Sequence, residues 1–185
     1  LCGRCLENSF ARMELSNLEQ IFGALQSAEV RYIVVGGLAV IAHGYLRATK
    51  DIDLVIALEP ENVRRAMGAL SALGFRPKVP VKAAEFGDAE TRRRWIEEKG
   101  MMVFQLVSDR FPFEPIDVFV REPFDFAREY QRCMWKQLNR ELKVPFISVE
   151  QLIELKLGAG RPQDIADVAE LEQENRRGKP GEAGR

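Results

Sequence analysis

RYIVVGGLAVIAHGYLRATKDIDLVI, residues Arg31 to Ile56, decides the fold. It reads as strand, glycine turn, short helix, loop and strand. Tyr32 to Val35 is an apolar, β-branched-rich run that stops at Gly36-Gly37. Two adjacent glycines admit positive φ and let another group approach the backbone closely. Leu38 to Ala42 then reads as helix, with Gly44 as its stop. A helix opening directly after such a turn offers free backbone N–H groups, which suit a phosphate. The second strand carries Asp51-Ile52-Asp53-Leu54. Side chains two apart on a strand share a face, so Asp51 and Asp53 project together while Ile52 and Leu54 enter a core. Two carboxylates side by side repel unless a cation lies between them, and hard oxygen donors beside a phosphate seat suit Mg²⁺.

Outward from this stretch, Leu15, Leu18, Ile21, Phe22 and Leu25 recur at helical spacing, so Leu15 to Ala28 is an amphipathic helix feeding the first strand. Pro60 opens a second helix that reaches about Leu73, with Gly74 just beyond it and Val63, Met67, Leu70 and Leu73 as its core stripe. Phe75 to Val81 contains two prolines and reads as irregular or an edge strand. Asp88 to Lys99 is a charged helix. Met101 to Val107 and Ile116 to Val120 are strands joined by a hairpin-like loop, and Asp117 lies on the second of them. Phe124 to Arg132 is helical, and Met134 to Leu138 and Leu142 to Ile147 are further short strands. Ser148 with Gln151 forms a capping box for a helix to about Leu157. Gly158 and Gly160 break that helix, and Arg161-Pro162 starts another that reaches about Glu174. Alternating strands and helices with short links predict an α/β fold: a small mixed sheet with helices packed on one face, plus C-terminal helices.

At 185 residues the chain has room for one domain, and 46% hydrophobic residues are enough for a full core. The expected layout is a domain over residues 15–174, a frayed or start-site-derived segment over 1–14, and a polar, glycine-rich disordered tail over 175–185. A net charge of −1 supplies no global basic field for a large nucleic acid. No apolar run is long enough for a membrane span and no signal peptide is visible, so the expected location is cytoplasmic. Cys2-Gly-Arg-Cys5 has the C-x-x-C form, but no second pair or histidine completes a zinc site, and free thiols are the plainer reading. Arg92-Arg93-Arg94 invites a nucleic-acid reading, yet flanking acids favour a solvated face.

Gly36-Gly37, thirteen residues, then Asp51-Ile52-Asp53, followed later by a single strand carboxylate at Asp117, resembles the polymerase-β-type nucleotidyltransferase superfamily. The fuller form GGLAVIAHGYLRATKDIDLVI is most similar to its minimal branch, which includes AbiEii-like toxin nucleotidyltransferases and the lincosamide and aminoglycoside nucleotidyltransferases. LIELKLGAGRPQDIADVAEL, Leu152 to Leu171, resembles the C-terminal K…R…KD..D motif of the AbiEii-like group, with Gln163 where that pattern has Lys. The resemblance implies metal-dependent transfer of a nucleoside monophosphate from a nucleoside triphosphate, such as ATP, to a hydroxyl. It implies Asp51, Asp53 and Asp117 as catalytic ligands of Mg²⁺ or Mn²⁺, and Gly36, Gly37, Arg47, Thr49, Lys156 and Asp164 as nucleotide contacts. The acceptor is left open among a small molecule, an RNA end and a partner protein. A binding or regulatory module with weak catalysis, one half of a toxin–antitoxin pair, is the alternative, and a metal-dependent phosphohydrolase is a third.

Several of these residues keep two readings. An acid in an apolar strand is costly unless it faces a cleft or a cation, and that cost recurs at Asp53 and Asp117; the plainer reading is an exposed sheet face. Gly36-Gly37 is either a phosphate seat or a tight turn without a ligand. His43, the only histidine, either has a structural hydrogen-bonding role or contacts substrate. Arg47 either neutralises triphosphate or pairs with an aspartate to hold its loop. Asp164 is either an acid/base group near the site or a first-turn carboxylate favoured by the helix dipole.

Overall fold

The structure, a computed structural model, describes residues 14–178. The expectations for residues 1–13, with Cys2 and Cys5, and for residues 179–185 lie outside the described residues. Helix α1 (Leu15–Ser27) leads into β1 (Tyr32–Val34), α2 (Gly36–Ala42), β2 (Ile52–Ile56) and α3 (Pro60–Ala72). After β3 (Arg76–Pro77), a 3-10 turn (Ala83–Gly87) and α4 (Ala89–Lys99) come β4 (Val103–Val107) and β5 (Ile116–Phe119). Helix α5 (Phe126–Arg132), β6 (Met134–Gln137), β7 (Lys143–Phe146), α6 (Val149–Ala159) and α7 (Pro162–Gly178) complete the chain.

Among the described residues the strands form one seven-stranded mixed sheet in the order β3-β4-β5-β2-β1-β7-β6. β2 runs antiparallel to β1 and parallel to β5. The expected α/β mixed sheet is therefore what forms. Its faces follow the period-two patterning of the central strands. Phe104, Leu106, Ile116, Val118, Ile52 and Leu54 are all at most 1% exposed, whereas the intervening Gln105, Asp117 and Asp53 are only partly buried. The buried face is covered by rings: Trp95 of α4 stacks on Phe104 at 5.3 Å between centroids, and Phe86 of the 3-10 turn meets the same ring at 5.1 Å. Aromatic contacts of this kind add about 0.5–1.5 kcal/mol beyond area burial. The opposite face is where the polar residues stand.

The local signals acted as expected at most boundaries. Asp88 caps α4, its carboxylate accepting from the Thr91 backbone N–H at 2.8 Å. Ser148 caps α6 by accepting from Gln151 N–H at 3.4 Å, and Pro60 sits in the first turn of α3. Three helix boundaries differ. Both glycines belong to α2, which starts at Gly36, where the sequence puts a turn before the helix. Gly158 lies inside α6, which ends only at Gly160 in the left-handed region (φ 64°). A glycine inside a helix costs about 1 kcal/mol relative to alanine, and tertiary packing commonly overrides such a propensity. Helix α7 continues past Glu174 to Gly178. The Arg92–Arg94 run is occupied locally. Arg92 donates to the Phe86 carbonyl at 2.6 Å, Arg93 pairs with Glu90, and Arg94 donates to Thr91 Oγ1.

Candidate active site

Parallel pairing of β2 with β5 sets Asp53 directly beside Asp117. Paired residues of neighbouring strands share a face, so the two carboxylates project together from the open side of the sheet. Asp51 lies one residue before β2, since Ile52 is the first strand residue. Its charge is nevertheless felt at both other carboxyls. Burial first, then Asp117 and then Asp51 push the Asp53 carboxyl up to about 7, against the pull of the Gly37 backbone N–H and Lys156. Burial also raises Asp117, offset in part by a hydrogen bond from Gln105, while Asp51 adds to the rise.

The glycine pair is explained by what packs on it. Gly36 has φ 64°, and a Cβ there would lie 2.8 Å from Asp53 Cβ and overlap the carboxylate. A Cβ on Gly37 would lie 2.8 Å from Thr49 Cβ and 3.0 Å from Arg47 Nη2. The two glycines thus let Asp53, Thr49 and Arg47 lie flat against the start of α2. Gly36→Ala meets both the left-handed φ and the overlap. It is expected to destabilise the fold by about 2 kcal/mol or more and to displace Asp53. Chemical denaturation checks this, and unchanged stability would count against it.

Arg47, Lys156, Arg161, Asp164 and Asp167 form one charged cluster beside this row. Lys156 Nζ, 5% exposed as a residue, donates to Asp164 Oδ1 at 3.1 Å and Asp167 Oδ2 at 2.6 Å. Arg161 forks onto Asp164 at 2.6 and 3.3 Å. Arg47 Nε lies 3.0 Å from Asp167 Oδ1, an ion pair without hydrogen-bond alignment, and Arg47 Nη1 donates to the Ala48 carbonyl. Gln163 donates to Asp167 Oδ1 at 3.2 Å, so the residue standing in place of lysine joins the same network. Burial acts to raise Asp164, yet hydrogen bonds from Arg161 and Lys156 outweigh it and hold its carboxyl below the ordinary range. The cluster ties α6, α7 and the loop before β2 together.

The structure therefore brings Asp51, Asp53, Asp117, Gly36, Gly37, Thr49 and Arg47 to one place, with Lys156 close enough to be felt at Asp53. Arg47 faces Asp167, as one of its two readings expects. His43 makes a structural hydrogen bond: its Nε2 meets the Ile147 carbonyl at 2.8 Å, and burial lowers its pKa. A carbonyl only accepts, so Nε2 carries the proton. Gln105 and Lys78 were not singled out by sequence. The available signal was a lone polar residue in the apolar strand VFQLV.

A divalent cation fits the donor chemistry here, hard carboxylate oxygens whose mutual repulsion it would relieve. Among the described residues no three His, Cys, Asp or Glu side chains converge as a ready-made metal cage.

A model of a nucleotidyltransferase family of unknown function, DUF6036, matches residues 13–176. No curated protein matches by sequence. By structure the chain is similar to a lincosamide antibiotic adenylyltransferase bound to lincomycin, with TM-score 0.58 and 16% identity over 86% of this chain and 97% of that one. It is similar to ANT(2")-Ia in complex with adenylyl-2"-tobramycin, with TM-score 0.52 and 16% identity over 85% and 86% of the two chains. An antigenic nucleotidyltransferase-like protein from Paracoccidioides brasiliensis gives TM-score 0.50 and 19% identity over 92% and 79%. At such identities the likeness is one of fold. The family match spans nearly all the described residues, and the chain belongs to this nucleotidyltransferase family.

Proposed function

We propose that the protein transfers a nucleoside monophosphate from a nucleoside triphosphate to a hydroxyl acceptor, with a divalent metal, Mg²⁺ or Mn²⁺, held by Asp51, Asp53 and Asp117. The observation that carries this is the register of Asp53 with Asp117 on adjacent strands, beside the glycine pair that opens α2. When bound, the metal supplies charge stabilisation at the reacting phosphate. In the reaction the hydroxyl oxygen bonds to the α-phosphorus, the bond to the bridging oxygen breaks, and pyrophosphate leaves with that electron pair. The hydroxyl proton passes to a carboxylate of the row acting as general base. Gly36, Gly37, Thr49 and Arg47 line the phosphate side. Lys156, whose charge is felt at Asp53, and Asp164 contribute from the charged cluster, with Asp164 anchoring Lys156.

One structural relative is named as a lincosamide antibiotic adenylyltransferase and was solved with lincomycin, and another was solved with adenylyl-2"-tobramycin. They support a small hydroxyl-bearing acceptor over an RNA end or a protein. Among the described residues no helix is long and apolar enough to cross a membrane. Calorimetry of ATP and GTP binding with and without Mg²⁺ tests the reading. Metal-dependent binding that Asp117→Asn weakens at least tenfold is expected. Binding indifferent to metal, or none with any nucleotide, would overturn it.

A second reading, a weakly catalytic regulatory module of a toxin–antitoxin pair, draws on one observation: the Lys156 ammonium is committed to Asp164 and Asp167. It predicts nucleotide binding without pyrophosphate release, and co-purification with a partner protein.

A further inference from the structure

The open face of the sheet continues the carboxylate row past Asp117. Gln105 of β4 is the cross-strand partner of Asp117, and its Nε2 donates to Asp117 Oδ1 at 2.8 Å. Lys78 lies just beyond β3, its backbone N–H bonded to the Gln105 carbonyl and its Nζ 2.7 Å from Gln105 Oε1. The orientation of this amide is forced. A carboxylate only accepts and an ammonium only donates, so turning the amide over would set acceptor against acceptor and donor against donor. Gln105 is thereby locked at both ends. The lock occupies Oδ1 of Asp117 and leaves Oδ2 outside this chain of bonds.

We propose that Gln105, fixed by Lys78, is a positioning residue for Asp117: it holds the carboxylate so that a single oxygen is presented to the divalent cation of the nucleotide site. The inference rests on the metal-binding role given above to Asp117. Outer partners that orient a ligand commonly change metal affinity about 10–100-fold when removed. The side chains of Gln105 and Lys78 lie on the open face, outside the aromatic core, so their replacement leaves the fold standing.

Mn²⁺ affinity measured by calorimetry or paramagnetic resonance, in the presence of a non-hydrolysable nucleoside triphosphate, tests this without catalysis. Gln105→Met keeps the volume and removes the donor. It is expected to weaken Mn²⁺ at least about tenfold with an unchanged melting temperature. Lys78→Met gives a test of sign. If Lys78 acted only through its charge, losing it would tighten a nearby cation. Positioning predicts the reverse, a weakening of about threefold. That weakening should vanish in the Gln105→Met background, where there is no amide left to hold. Mn²⁺ affinity unchanged in Gln105→Met, or tightened in Lys78→Met, overturns the positioning role while leaving the metal site intact. Wild type that takes no Mn²⁺ with nucleotide overturns the reading on which it rests, and this proposal with it.

Discussion

Asp53→Asn is expected to abolish nucleotide transfer while raising the melting temperature of the metal-free protein above neutral pH. The two effects share a cause. Asp53 is crowded by burial, Asp117 and Asp51, which raise its carboxyl from 3.8 to about 7. A raised carboxyl means that the folded state holds the proton more tightly than the unfolded chain. Between about pH 4 and pH 7 the unfolded chain has released that proton and the folded protein has not. Stability from this group therefore falls as pH rises through that window, and the loss is complete above about 7. The ceiling is about 4 kcal/mol at ~1.36 kcal/mol per pH unit, and coupling among the three aspartates spreads it over the row. Asparagine keeps the shape and an acceptor for Gly37 N–H and removes the charge. A gain of about 1–2 kcal/mol at pH 8, or about 3–6 °C, should follow, shrinking to nothing near pH 4. The same substitution removes a hard oxygen ligand, so turnover with Mg²⁺ should be lost. Full activity in the variant would remove Asp53 from the ligand set. A melting temperature that falls at pH 8 would show that the carboxylate stabilises the metal-free fold.

Lys156→Met is the second large effect, and it is expected in stability. Lys156 Nζ sits between Asp164 and Asp167, whose side chains are 2% and 0% exposed. Removing it leaves two buried carboxylates short of their shared cation. Breaking a buried pair from one side costs about 3–5 kcal/mol, because the remaining charge is uncompensated. Arg161 still reaches Asp164 and Arg47 still faces Asp167, which places the loss toward the lower end. A fall of about 10 °C in melting temperature is expected. Adding Asp164→Asn should recover part of it, since one buried charge is then gone. If Lys156 served only as a phosphate contact, Lys156→Met would melt like wild type and lose nucleotide affinity alone.

The centre of the fold could be read from residues 31–56 because three strong local rules agree there. A β-branched run, a glycine pair and an i, i+2 carboxylate pair each have few structural outcomes. The pairing of Asp53 with Asp117 was legible only as resemblance. Register between strands separated by α3, β3, α4 and β4 depends on tertiary packing, which no local pattern encodes. The same limit hid Gln105, whose role exists only once β4 lies beside β5. Lys156 shows the opposite case. Its motif was visible, but its burial between two aspartates is set by how α6 meets α7. The reach of α7 to Gly178 departed from composition, since NRRG reads as polar tail yet continues a helix already anchored through Val168 and Leu171.

The most direct test of the account is transfer of label from an α-³²P nucleoside triphosphate to a small hydroxyl-bearing acceptor, with pyrophosphate counted in parallel. Wild-type protein with Mg²⁺ should release one pyrophosphate for each labelled acceptor, and chelation of the metal or Asp53→Asn should stop both. Label appearing only as free nucleoside monophosphate would mark a hydrolase. Wild type that binds nucleotide and metal yet releases no pyrophosphate with any acceptor would contradict nucleotidyl transfer.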